Sequence, residues 1–147
     1  MIFVDTGAFL GRYLANDQYF AQARQFWEQL RHPIVTSNLV LVEFATLLTR
    51  RVSGGFAAER LRRIYDEPDC RILRPGEAEE REALALVDKF ADHRLGMTDA
   101  VSMILMRRHK LRRIFTFRNY AFDAKADSMG EWLTLCPLGA DGPSGIS

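Results

Sequence analysis

Met1-Ile2-Phe3-Val4-Asp5-Thr6-Gly7-Ala8-Phe9 begins with a short apolar run that stops at an acid, a hydroxyl and a glycine. Such a run reads as a buried strand feeding directly into a turn and a helix, and the rest of the chain repeats that alternation. Residues 8–14 and 18–31 have helical patterning, the second with Phe20, Ala23, Phe26, Trp27 and Leu30 on one apolar face. Pro33 stops that helix. Ile34-Val35 supplies a second strand, and Ser37 or Asn38 is placed to cap a helix from Leu39 to Val52, nearly all apolar for three turns and therefore expected to be buried. Ser53-Gly54-Gly55 ends it. A basic amphipathic helix follows over 56–66 with Arg60, Arg62 and Arg63, then a strand at Arg71-Ile72-Leu73. Residues 77–92 read as an acidic helix with one apolar side, 99–109 as a helix that buries Val101, Ile104 and Leu105, and 114–117 and 132–135 as further strands. Strands separated by helices throughout predict an α/β sandwich with a mostly parallel central sheet.

The 147 residues, 48% hydrophobic and 27% charged, fit one soluble globular domain without an internal linker or repeat. A Gly-, Pro- and Ser-rich tail is expected to be disordered, which divides the chain into a domain over 1–137 and a tail over 138–147. With 20 basic and 19 acidic residues, any electrostatic argument has to be local. Cys70 and Cys136 form no C-x-x-C pair, so neither a disulfide framework nor a zinc ribbon is supported, and a reducing cytoplasmic setting is expected. The first residues lack a secretory pattern, so the protein is expected to begin at its own start, and no apolar run approaches the ~18 residues of a membrane span. No nucleophile elbow, Walker loop or G-x-G-x-x-G is present, which leaves covalent hydrolase, NTPase and dinucleotide readings without a motif.

Three carboxylates stand out. Asp5 follows the first strand, where ligand sites lie in open α/β sheets, or else it caps the helix starting near Gly7. Glu43 is the one charge in Asn38-Leu-Val-Leu-Val-Glu-Phe-Ala-Thr-Leu-Leu48. A buried carboxylate there needs a cation, either a metal ion or an arginine such as Arg50 or Arg51. Asp99 opens the helix after Gly96-Met97-Thr98, where Thr98 as N-cap and the helix dipole give it a structural use as well. Taken together, Asp5, Glu43 and Asp99 with hydroxyls at Thr6 and Thr98 form the all-oxygen set that suits Mg²⁺ or Mn²⁺. His32, His93 and His109 are scattered without ligand spacing and are expected at the surface or in loops.

In family order and at family-like spacing, Phe3-Val4-Asp5-Thr6-Gly7-Ala8-Phe9, Thr36-Ser-Asn-Leu-Val-Leu-Val-Glu43, Met97-Thr-Asp99-Ala100-Val-Ser-Met and Ile114-Phe-Thr116-Phe117 resemble the PIN-domain family, specifically its small ribonuclease toxins of VapC type. The resemblance implies a three-layer sandwich with acids gathered at the carboxyl edge of the sheet. It matches Asp5, Glu43 and Asp99 to the catalytic acids, with Asp5 and Asp99 as principal metal ligands, and Thr6, Thr98 and Thr116 to supporting hydroxyls. The fourth acid of the family's T-x-D-x-x-F pattern is replaced by Arg118, with Asn119 beside it as a neutral oxygen donor and Asp123 further on.

The implied chemistry is hydrolysis of an RNA phosphodiester by an endoribonuclease with Mg²⁺ or Mn²⁺ as cofactor, the metal activating water and polarising the phosphoryl oxygen. Glu43 completes the cluster. The basic stretch Arg107, Arg108, Arg112, Arg113 and Arg118 offers a phosphate-tracking surface, or for Arg107 and Arg108 a solvated helix end. A cognate antitoxin encoded beside the gene and a homodimer are implied by the resemblance alone. The alternative is a PIN-like RNA-binding or regulatory module in which Arg118 has displaced the metal.

Overall fold

The computed structural model describes residues 1–17, 20–117 and 134–136. Five short strands form one parallel sheet: β1 (Ile2–Val4), β2 (Ile34–Ser37), β3 (Cys70–Leu73), β4 (Arg113–Phe115) and β5 (Thr134–Cys136), in the spatial order β3-β2-β1-β4-β5. Between them run α1 (Thr6–Tyr13), α2 (Phe20–Gln29), α3 (Asn38–Arg51), α4 (Gly54–Tyr65), α5 (Glu77–Lys89) and α6 (Met97–Arg108). The α/β sandwich read from the sequence is present, and every described strand pair is parallel.

The order of connections places the site. The chain moves outward from β1 to β2 through α1 and α2, and from β2 to β3 through α3 and α4. It then returns past β1 to add β4 on the other side, by way of α5 and α6. With crossovers of the usual right hand, that reversal puts α5 and α6 on the opposite face of the sheet. The gap between the carboxyl ends of β1 and β4 is thus the topological switch point, where open α/β sheets bind ligands.

β1 is buried along its whole length between β2 and β4, with Phe3 in register with Val35 on one side and Ile114 on the other. Around it Phe9, Phe26, Phe44 and Phe115 are each fully buried, and the Phe26 ring stacks on Phe115 with centroids 3.5 Å apart. Each such side chain contributes about 1.5–3 kcal/mol through burial. Phe26 therefore belongs to the core, and Trp27 is half-buried with its Nε1 donating to the Ala8 carbonyl at 3.1 Å.

Local chemistry moves several boundaries. α1 starts at Thr6, because Asp5 already has the extended backbone of an N-cap. Ser37 caps α3, its hydroxyl accepting from Val40 N at 3.2 Å, so the helix starts one residue earlier than the apolar run suggests. The α3 helix is not buried all round: α4, α1, α6 and β2 pack against it, but Val42 is 60% exposed and Thr46 faces solvent beside it. α5 stops at Lys89; a 3-10 turn at Ala91–His93 and a left-handed Arg94 (φ 52°) follow. α6 starts at Met97 with Gly96 as N-cap, which places Thr98 inside the first turn rather than at its cap. β4 ends at Phe115, so Thr116 and Phe117 leave the ladder just where the switch point opens. The tail over 138–147 lies outside the described residues.

Candidate active site

Asp5 is 1% exposed and stands directly after β1. By its backbone it is the N-cap residue of α1, but its side chain makes no capping hydrogen bond there. Instead Thr116 Oγ1, also buried, donates to Asp5 Oδ2 at 2.8 Å, while Asp5 N donates to the Phe115 carbonyl at 3.1 Å. On the other side Thr36 Oγ1 donates to the Val4 carbonyl at 2.9 Å. The backbone leading into Asp5 is thus tied to both neighbouring strands and one carboxylate oxygen is fixed. Thr36 was quoted in the sequence as the start of a motif, but its role is visible only once β2 is known to lie beside β1.

The buried hydroxyl of Thr6, 1% exposed, has no hydrogen-bond partner among the described residues. Asp99, 5% exposed, is the third residue of α6. The α6 helix returns the chain to the amino edge of the sheet to start β4, so its first turn lies toward the carboxyl edge, on the same side as Asp5. The helix dipole favours a negative charge in that turn. Thr98 is half-buried beside it, and its carbonyl accepts from Ser102 Oγ at 2.8 Å.

Glu43, in the second turn of α3, is half-buried rather than withdrawn from water. The requirement for a compensating cation therefore relaxes, because solvent reaches the side of α3 that carries Val42 and Thr46. Among the described residues no three His, Cys, Asp or Glu side chains gather into a group that could hold a metal ion, so Asp5, Glu43 and Asp99 do not close into a three-carboxylate cage. Two buried carboxylates and an unsatisfied hydroxyl, without imidazole or thiolate, nevertheless fit Mg²⁺ or Mn²⁺. Mg²⁺ is commonly held by one or two carboxylates and keeps several of its waters.

The described members of the basic stretch, Arg107, Arg108, Arg112 and Arg113, are not brought to this edge. Arg107 pairs with Glu82, and Arg108 pairs with Glu82 and, at 3.8 Å, with Glu79, so both are engaged by the acids of α5. They occupy the last turn of α6, about 12 Å along the helix from Asp99. Arg112 and Arg113 enter β4 at its amino end, with Arg113 half-buried. For Arg107 and Arg108 the helix-end reading accounts for their placement. Arg118, Asn119 and Asp123 lie outside the described residues. His93 and His109 are exposed, as expected, and His32 sits in the α2–β2 connection.

A family model for the PIN domain matches residues 2–127. The chain belongs to the PIN-domain family. The motif resemblance is thereby confirmed over most of the chain. Among curated relatives, Ribonuclease VapC26 of Mycobacterium tuberculosis is 27% identical over 138 residues, covering 91% of this chain and 98% of that protein. The 23S rRNA-specific endonuclease VapC20 of the same organism is 29% identical over 130 residues, covering 88% and 95%. The crystal structure of M. tuberculosis VapC20, described as a sarcin-ricin loop cleaving toxin, superposes with a TM-score of 0.78 at 25% identity, covering 84% of this chain and 95% of that one. A toxin–antitoxin complex from Klebsiella pneumoniae shares the fold, with a TM-score of 0.60 at 15% identity over 83% and 90% of the two chains. This PIN domain thus shares its fold with VapC20 over 84% of its length.

Proposed function

We propose that this PIN domain is a divalent-metal-dependent endoribonuclease that hydrolyses RNA phosphodiesters as the toxin of a type II toxin–antitoxin pair. The observation that carries the reading is the buried Asp5 carboxylate, held by Thr116 at the switch point between β1 and β4. Its support from outside the chain is the naming of similar proteins as a ribonuclease and a 23S rRNA-specific endonuclease. Structured ribosomal RNA is accordingly the substrate class, and the cytoplasm the setting. A cognate antitoxin and a second copy of the chain are the expected partners; no described helix is long and apolar enough to cross a membrane.

Asp5 and Asp99 would hold Mg²⁺ or Mn²⁺. What such an ion supplies when bound is Lewis-acid polarisation of a phosphoryl oxygen and a water acidic enough to attack it near neutral pH. Thr116 fixes the plane of the Asp5 carboxylate through Oδ2, so the geometry is set before substrate arrives. Asp99 stands in the first turn of α6, where the helix dipole complements a carboxylate. Thr6 and Thr98 act as orienting hydroxyls, and Glu43, reached by solvent, completes the negative field through water. Asn119 is the proposed neutral donor at the fourth position, and Arg118 is the proposed basic contact for the RNA backbone.

The test is cleavage of a labelled ribosomal stem-loop and of DNA of the same sequence with Mg²⁺ or Mn²⁺, comparing the natural chain, Asp5→Asn and an EDTA control. Cleavage of RNA lost in both controls is the expected result. Undiminished cleavage by Asp5→Asn overturns the site. Retained RNA binding without cleavage or metal binding by the natural chain identifies the regulatory module instead.

A further inference from the structure

On the edge of the sheet opposite Asp5, where β2 begins, lies a cavity of about 490 Å³, within the size range of sites for small ligands. Its polar lining is Arg12, Arg31 and His32 on one hand and Glu67 and Asp69 on the other, with Trp27 as its aromatic wall. Trp27 is fixed by its bond to the Ala8 carbonyl, and the Arg12 guanidinium lies over the indole, 4.4 Å from the ring centroid. Arg31 is committed to the end of α2, donating to the Glu28 and Leu30 carbonyls at 3.0 Å each. Among the described residues no ion pair engages Arg12, Glu67 or Asp69, although Arg12 and Glu67 are both half-buried. Both act on the thiol of Cys70 at the start of β3: the Glu67 carboxylate adds to the rise caused by burial and the Arg12 guanidinium opposes it. A donor fork and a carboxylate therefore share one cavity without neutralising each other.

A ligand that satisfies both must present paired acceptors on one edge and paired donors on another. Guanine does so: O6 and N7 accept from an arginine, and N1–H and the 2-amino group donate to a carboxylate. Adenine places an acceptor where the carboxylate needs a donor. We propose that this amino-edge cavity is a guanine site, taking a guanine of the RNA strand or of a free guanine nucleotide. The strand source rests on the ribonuclease reading above; the recognition chemistry does not.

Calorimetric titration of the full chain with GMP, AMP and single-stranded hexamers of G or A tests it without any cleavage step. The expected result is GMP bound about tenfold or more tightly than AMP, the discrimination a good bidentate pair gives. Glu67→Gln or Asp69→Asn removes most of that preference, while Arg12→Met weakens GMP in particular. Asp5→Asn, on the opposite edge, binds GMP as the natural chain does. A G hexamer tighter than GMP assigns the site to the RNA strand; a hexamer no tighter assigns it to the free nucleotide. Equal binding of GMP and AMP overturns the inference. So does an unchanged GMP affinity in both carboxylate variants when their circular dichroism matches the natural chain. A chain that cleaves no RNA yet keeps the guanine preference refutes the ribonuclease reading and leaves the cavity assignment standing.

Discussion

The Thr116 hydroxyl donates to Asp5 Oδ2 at 2.8 Å across the gap between β4 and β1, with both residues about 1% exposed. Two residues 111 positions apart thus form one rigid unit, and the bond sets the orientation of the carboxylate on which the proposed chemistry depends.

Thr116→Val keeps the shape and removes the donor. A hydrogen bond to a charged group contributes about 1.5–3 kcal/mol, and a loss in that range is expected in urea denaturation. RNA cleavage is expected to fall with it. A variant as stable and active as the natural chain contradicts the proposed role of Thr116.

Metal binding to the folded state stabilises it by mass action, so Mg²⁺ at about 100 times its Kd is expected to add about 2.7 kcal/mol. Thermal melts with and without the ion read this directly. Asp99→Asn and Asp5→Asn should each abolish the Mg²⁺-dependent rise in Tm while leaving the metal-free chain folded. An unchanged rise in both variants places the ion elsewhere.

Arg107 and Arg108 are paired with Glu82 on exposed surfaces of α5 and α6. Exposed pairs contribute little, so Arg107→Ala with Arg108→Ala should cost less than about 1 kcal/mol per residue. RNA affinity and its salt dependence should stay close to those of the natural chain. A drop in the slope of affinity against salt by about one per arginine removed would restore them as phosphate contacts.

Phe26→Ala removes a fully buried ring stacked on Phe115, next to the residue that holds Asp5. The expected loss is about 3–5 kcal/mol, measured by denaturation. Cleavage should fall at temperatures where the fold is still intact, because β4 carries Thr116 at its end.

Burial pushes the Cys70 thiol up from 9.0 to about 11, with Glu67 raising it further and Arg12 lowering it. The folded chain therefore holds the thiol proton more tightly than the unfolded one. Stability from this group is present below pH 9 and is lost as pH rises toward 11. Alkylation of Cys70, followed by peptide mass mapping, should have its midpoint near 11, and Glu67→Gln should move that midpoint down. A midpoint at the ordinary thiol value contradicts the burial described.

The sequence by itself determined the order of strands and helices and the parallel class of the sheet, because apolar periodicity and the Gly, Pro and Ser breaks are local signals. It also singled out Asp5 and Asp99, as acids at the end of a strand and the start of a helix. Glu43 could be picked out but its burial misread: an apolar run reports composition, and only packing decides which side of α3 meets the core. In the same way, six bases without an acid among residues 100–122 read as one surface, whereas the fold brings Glu79 and Glu82 of α5 to Arg107 and Arg108. The Thr116–Asp5 bond, the Thr36 tie to Val4 and the amino-edge cavity exist only in three dimensions. Each joins residues far apart in the chain, and their proximity follows from the order in which the strands are laid side by side.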